Sequence, residues 1–344
     1  MLALYGTALR GIGWGNGNMF WPVVLFLVGF ALLIKGGDWF VDGAVGIARR
    51  FHLPELLIGA TVVSIGTTLP EVMVSSQAAL EHNAGISYGN AIGSVICNTS
   101  LIAALTVAIR PGKVNAKSFL IPTVFFFVAG LSYALTAWTA GSFERWIGIV
   151  YLCAFAAYMI WSVLYMKKHP DTADDAGGED LPEAGKEKPL WQEILLLVVG
   201  AAAIAVGARL LVDNGTLIAQ ALGVPDSVIG LTMVALGTSL PELITAITSL
   251  VKGHGALSLG NVIGANLFNI ILVSGAAITI SPFAVPAEKT IAGMTSSLII
   301  DLPVMLGVMG ILCIPTLLKG RLKRWQGILL LAVYAAFTVY QFVS

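Results

Sequence analysis

Gly66-Thr67-Thr68-Leu69-Pro70-Glu71 and, 171 residues later, Gly237-Thr238-Ser239-Leu240-Pro241-Glu242 decide how this chain is read. Each hexapeptide lies in the middle of an apolar run long enough to span a bilayer core of about 30 Å. A carboxylate at that depth is costly unless it is paired, protonated or bound to a cation, so an intramembrane glutamate points to function. Pro70 and Pro241 cannot donate to the carbonyl four residues back, which frees the carbonyls of Gly66 and Gly237. Thr67 and Glu71 are spaced i,i+4, and Thr68 and Glu71 i,i+3. One helix face thus offers two hydroxyls, a carboxylate and loose carbonyl oxygens. Hard cations such as Na⁺ and Ca²⁺ take such oxygen ligands.

Working outward, the two halves align without a gap at the same offset. Asp42 falls on Asp213, Pro54 on Pro225, Gly59 on Gly230, Thr61 on Thr232 and Pro111 on Pro282. About 22 of the 70 positions from Asp42 to Pro111 are identical, too many for a merely apolar sequence. A second shared cluster runs from Gly89 to Asn98 and from Gly260 to Asn269. Asn90, Ser94 and Asn98 form an i,i+4 polar stripe, which Asn261, Ala265 and Asn269 repeat with one hydroxyl missing. Amide side chains supply neutral oxygen ligands or orient the glutamates. Ser, Thr and Gly in membrane helices also serve as packing devices, and Asn90 and Asn261 could equally hold broken helices together.

Only 11% of the 344 residues are charged and 57% are hydrophobic. A soluble protein carries about a quarter charged residues, so a cytosolic globular enzyme is excluded as the leading idea. Ten apolar segments predict an all-α polytopic membrane protein. Their limits are 22–43, 54–80, 86–109, 118–138, 145–166, 191–212, 226–250, 257–281, 291–314 and 325–343. Residues 22–166 form a first five-helix repeat, 167–190 an acidic linker and 191–343 a second repeat. Five spans per half make the second half enter from the opposite side, an inverted repeat with its site near the midplane. The odd-numbered loops carry fourteen of the basic residues, the even-numbered loops and termini only Arg10, Arg145 and Lys289. Both termini therefore face outward and the linker is cytoplasmic. A plasma-membrane location follows.

The remaining polar residues have plainer readings. Asp42 and Asp213 are expected as caps or helix contacts. Lys35 pairs with Asp38, and Arg209 with Asp213. Asp301 is a structural or modulatory acid. His52, His82, His169 and His254 fall at loops without metal spacing. Cys97, Cys153 and Cys313 are small core residues. The first twenty residues lack the order of a cleaved signal peptide. Equal numbers of acidic and basic residues, 19 each, give no sign of nucleic acid. No nucleophile–His pair, HExxH or nucleotide loop supports an intramembrane enzyme. A passive channel would lack a pore ring from one chain.

With these motifs the chain resembles the sodium/calcium exchanger family of the cation/calcium antiporter superfamily, in its short prokaryotic form. The resemblance implies ten transmembrane helices in two inverted repeats and exchange of Na⁺ for Ca²⁺. It also implies a diamond of four cation sites between the second, third, seventh and eighth helices, with the first and sixth sliding against them. By position, Glu71 and Glu242 would be central calcium ligands that also share sodium, and Asn98 and Asn269 would hold the other central positions. Thr67, Thr68, Thr238, Ser239 and Ser94 would supply oxygens to outer sodium sites, with the backbone carbonyls of Ser64 and Ala235. The chain departs from the pattern at three positions. Asn269 stands where some members have aspartate, Ala265 replaces a sodium-ligating serine, and Val95 stands where the family often has Asn. The implied protein is a monomer in the lipid bilayer, needs no cofactor and is not an enzyme.

Two ionised glutamates carry a charge near −2. One Ca²⁺ or two Na⁺ would neutralise it and permit the sliding step, while the empty site resists crossing apolar surroundings. A third Na⁺ would make the cycle electrogenic. Glutamates in an apolar setting can also take up protons, so H⁺/Ca²⁺ exchange is the nearest rival.

Overall fold

A computed structural model describes residues 19–168, 188–222, 235–287, 290–291 and 294–343. The first twenty residues, expected to lack a cleaved signal peptide, therefore lie almost wholly outside the described residues, as do most of the linker, His169, Lys289 and the first part of the seventh span.

Among the described residues, ten helical segments follow in order. They are α1 (Phe20–Arg50), α2 (Glu55–Leu80), α3 (Ala84–Ile109), α4 (Ala116–Ala140), α5 (Arg145–Lys168), α6 (Leu190–Ala221), α7 (Leu240–Val251, preceded by the helical turn Ala235–Thr238), α8 (Gly255–Ile280), α9 (Ser297–Lys319) and α10 (Arg324–Val343). Among the described residues, eight are long and apolar enough to cross a membrane. Local chemistry sets several starts and stops. The Asn83 side chain accepts from the Ile86 amide at the head of α3, and Asn115 accepts from Lys117 and Ser118 at the head of α4.

α1 and α6 pack along each other's length. The seam is glycine. A Cβ on Gly29 would come within 2.8 Å of the Gly207 carbonyl, and one on Gly36 within 2.9 Å of Ala203. Gly29 and Gly36 sit 171 residues before Gly200 and Gly207. The repeat thus extends upstream of Asp42, and small residues let the two backbones approach.

α2, α3, α7 and α8 contact one another and form the centre of the molecule. α8 is its most buried span. Gly59, Gly260 and Gly264 lie where α2 and α8 almost touch: a Cβ on Gly59 would meet the Leu257 carbonyl, and one on Gly264 would meet Ala60 and Ser64. α5 braces this centre, with the Tyr158 hydroxyl donating to the Ala60 carbonyl at 3.0 Å. α2, α3 and α8 each contain a turn of π-helix, at Gly59–Val63, Asn98–Ala103 and Asn269–Val273. The last two begin on repeat-related asparagines.

Two short antiparallel pairings tie loops together at opposite ends of the bundle. Ser142 and Phe143, after α4, pair with Ala284 and Phe283, after α8. Lys113, after α3, pairs with Arg321, after α9. Lys113 and Ala284 are repeat-related, so the same device recurs in each half.

Candidate functional site

The prolines act differently in the two halves. α2 runs through Pro70 as continuous helix from Ser64 to Leu80, and its irregular turn lies upstream. In the second half the helix breaks at Ser239, and Pro241 opens the next segment, where its missing N–H costs nothing. Both arrangements place a glutamate at the centre of the bundle.

Glu71 and Glu242 are fully buried. None of their four carboxylate oxygens has a hydrogen-bond partner among the described residues. Each lies within the other's electrostatic neighbourhood, and Glu242 lies beside the hydroxyls of Thr67 and Thr68. Asn98 and Asn269 are also fully buried, and neither side-chain amide makes a hydrogen bond among the described residues. The Thr68 and Ser239 hydroxyls are buried and unpartnered too. These six side chains are three repeat-related pairs. A buried polar group without a partner costs about 1–3 kcal/mol, and such groups are few in native proteins. Three matched pairs gathered on α2, α3, α7 and α8 mark a site built to face a polar guest.

The other expected residues divide. The Thr67 hydroxyl donates to Asn261 Oδ1 at 3.1 Å, so it links α2 to α8 as well as bordering Glu242. Ser64 Oγ lies 2.7 Å from the Gly59 carbonyl and 3.0 Å from that of Asn261. Its hydroxyl serves packing, and its carbonyl lies 3.5 Å from Thr67 Oγ1. Ser94 is buried on α3. Thr238 is half-buried at the break before α7, and Ala235 begins that turn. Asn90 donates to the Glu71 carbonyl at 3.1 Å and to Ser75 Oγ at 2.8 Å, which ties α3 to α2.

Several residues beside the site are not repeat-matched polar residues of the motifs. Cys97, read as a core residue, lies near both glutamates and Ser239, and the Tyr334 hydroxyl of α10 donates to its sulfur at 3.8 Å. Asn266 Nδ2 donates to Thr99 Oγ1 at 2.7 Å, joining the turns that hold Asn269 and Asn98. Asn266 occupies the place of Val95 in the repeat, so the alignment could have flagged it. Over the motif glycines lie apolar side chains of the paired outer helices, Phe40 of α1 on Gly66 and Val212 of α6 on Gly237.

The plainer readings fare as follows. Asp42 pairs with Lys252 at 2.7 Å, and Asp38 with the same lysine at 3.3 Å, linking α1 to the α7–α8 turn. Lys35–Asp38 and Arg209–Asp213 pair as expected. Asp301 accepts from Gln341 at 3.0 Å. Among the described residues no group of three His, Cys, Asp or Glu gathers as for a transition metal. What gathers is two carboxylates among hydroxyl, amide and carbonyl oxygens, a donor set suited to hard cations.

The profile of the family described as "Sodium/calcium exchanger protein" matches residues 21–164 and 193–343. The chain is 37% identical over 321 residues to an uncharacterized membrane protein of Methanocaldococcus jannaschii, covering 90% of this chain and 94% of that one. It is 33% identical over 351 residues to the sodium/calcium exchanger MaX1 of Methanosarcina acetivorans, covering 93% and 98%. A solved structure of the sodium–calcium exchanger NCX_Mj, soaked with Na⁺ and Sr²⁺, superposes with a TM-score of 0.75 at 34% identity, covering 92% of this chain and 98% of that one.

Proposed function

The chain belongs to the sodium/calcium exchanger family, and on that premise we propose that Glu71 and Glu242 are the shared anionic centre at which it exchanges Na⁺ for Ca²⁺. The observation that carries this reading is the pair of buried carboxylates with four unpartnered oxygens. Their combined charge near −2 is balanced by one Ca²⁺ or by two Na⁺, so the two loads compete for the same oxygens. Asn98 and Asn269 supply neutral oxygens on either side, and Thr67, Thr68, Thr238, Ser239 and Ser94 with the carbonyls of Ser64 and Ala235 supply the periphery. Ala265 contributes no hydroxyl where Ser94 does, so the two flanks are unequal.

Alternating access follows from charge. Moving an uncompensated double charge past apolar side chains such as Phe40 and Val212 is costly, and a loaded site removes that cost. The α1–α6 pair, held to itself by its glycine seam, moves as one body over the central helices. Coupling needs no ATP and no resident cofactor. A third Na⁺ would make the cycle electrogenic, at about 2.3 kcal/mol per charge per 100 mV. The protein is a monomer in the plasma membrane with both termini outside and the segment 167–190 in the cytoplasm, between the five-helix units 22–166 and 191–343. The charge bias of its loops supports this orientation.

The test is ⁴⁵Ca²⁺ uptake into proteoliposomes preloaded with Na⁺, with Glu71→Gln and Glu242→Gln alongside. Sodium-driven uptake, lost at least a hundredfold in both variants, is the expected result. Uptake that ignores sodium and follows a pH gradient would replace this reading with proton-coupled exchange.

A further inference from the structure

We propose that the joined α3–α4 and α9–α10 loops form a binding site for the phosphate headgroup of an anionic lipid. The first loop carries Arg110 and Lys113, with Lys117 in the first turn of α4, and the second carries Arg321 and Lys323 between Lys319 and Arg324 at the flanking helix ends. No acidic residue lies in either loop. They come from opposite halves of the chain and are fastened by two backbone bonds, Val114 N–H to the Gly320 carbonyl at 2.9 Å and Leu322 N–H to the Gly112 carbonyl at 2.8 Å. This sets Lys113 directly across from Arg321.

Like charges directly opposite each other on paired strands repel. Lys319 and Arg321 also crowd the half-buried Lys323, lowering its pKa from the usual lysine value. The loop cannot relax this crowding easily. Gly320 takes a left-handed turn with φ +59°, and buried Gln326 anchors it by donating to the Ile311 and Leu312 carbonyls while accepting from the Lys323 amide. All of these cations except Lys323 are exposed.

The fold does not require charge at this junction. The repeat-related junction at the other end pairs Ser142 and Phe143 with Ala284 and Phe283, four uncharged residues. Orientation alone does not explain the arrangement either, since cytoplasmic lysines satisfy it anywhere in a loop. A rigid cationic pair with no acidic partner among the described residues, at the end of two membrane-spanning helices, matches a lipid phosphate, which sits at that level and is held there by the bilayer. Exposed Trp325 and Leu318 beside the cluster suit the zone just below the headgroups.

The test uses the full-length protein in mixed micelles with equal amounts of phosphatidylglycerol and phosphatidylcholine, and native mass spectrometry reads the retained lipid. One basic side chain near an anionic surface favours binding about fivefold, so enrichment of phosphatidylglycerol by at least that factor is expected. Lys113→Gln/Arg321→Gln should bring retention towards parity, and 0.5 M NaCl should weaken it in the wild type. Arg49→Gln, on another cytoplasmic corner, should leave it unchanged. Equal retention of the two lipids by the wild type would overturn the proposal, as would an equal loss in Arg49→Gln. The readout involves no ion flux, so it succeeds or fails independently of the exchange reading.

Discussion

At the scale of single residues, the site is defined by side chains that lack what buried polar groups normally have. Glu71, Glu242, Asn98 and Asn269 make no side-chain hydrogen bonds among the described residues, while the residues just behind them are well bonded. Asn266 is the clearest of these supports. Its amide nitrogen holds Thr99, next to Asn98, and it stands one turn before Asn269 on α8. The bridge therefore sets the distance between two of the proposed neutral ligands. Asn266→Ala should cost about 1–2 kcal/mol in thermal unfolding, through a lost buried hydrogen bond and a small void. It should also raise the Ca²⁺ concentration for half-maximal uptake several-fold. Thr99→Val should do the same, and Thr99→Ser, which keeps the hydroxyl, should restore it. A stability loss with unchanged Ca²⁺ dependence would reduce Asn266 to packing.

At the scale of elements, the α1–α6 seam explains how two helices outside the site can move together. Glycines 29, 36, 200 and 207 bring the two backbones close, with little beyond Cβ atoms of neighbouring residues between them. Gly36→Leu should force the pair apart and cost about 1–3 kcal/mol in melting experiments. Gly307→Ala, on α9 with nothing within 4 Å among the described residues, should change stability by a few tenths of a kcal/mol at most. Similar losses in both would mean that the seam has no special closeness. The helices themselves were legible because a membrane span needs a long apolar run: α2, α3, α4, α5, α8 and α10 lie within about two residues of their expected limits, α1 and α6 extend further, α9 is displaced toward its C-terminal end, and the first part of the seventh span lies outside the described residues. The two glutamates were legible because charge at that depth stands out and because the motif is duplicated. The glycine seam lies upstream of the motif-rich stretch that starts at Asp42, and glycines scattered in an apolar helix do not by themselves say which neighbour they pack against. The π turns at Asn98 and Asn269 could not be read, since an extra residue in a helical turn leaves no mark in hydrophobic pattern. Cys97 and Tyr334 escaped for a related reason: their place beside the site depends on α10 folding back, which no local spacing encodes.

At the scale of the whole molecule, the sequence symmetry of the halves is not matched by symmetry of burial. Gly260, Asn261 and Gly264 are buried, closed against the first turns of α2, and the His254–Glu55 contact at 2.9 Å fastens the same two helices at their ends. Their counterparts differ: Gly89 is exposed and Asn90 and Gly93 are half-buried. Lys252 adds to the closed side by holding α1 through Asp38 and Asp42, and Glu81, which occupies its place in the other half, accepts from nearby Gln77 and makes no ion pair among the described residues. In the orientation proposed above, the closed end is cytoplasmic and the more open end extracellular. An inverted repeat in one such state has an obvious partner state, in which each half adopts the other's conformation. A cysteine placed on each face distinguishes them. In a background lacking the native cysteines, Asn90→Cys should react with a membrane-impermeant maleimide added outside, and Asn261→Cys should stay protected. Lys252→Met should shift the balance, slowing modification of Asn90→Cys, because it removes the ion pairs that hold α1 against the closed end. Faster labelling of Asn261→Cys than of Asn90→Cys from outside would reverse the orientation, and unchanged labelling in Lys252→Met would remove that lysine from the switch.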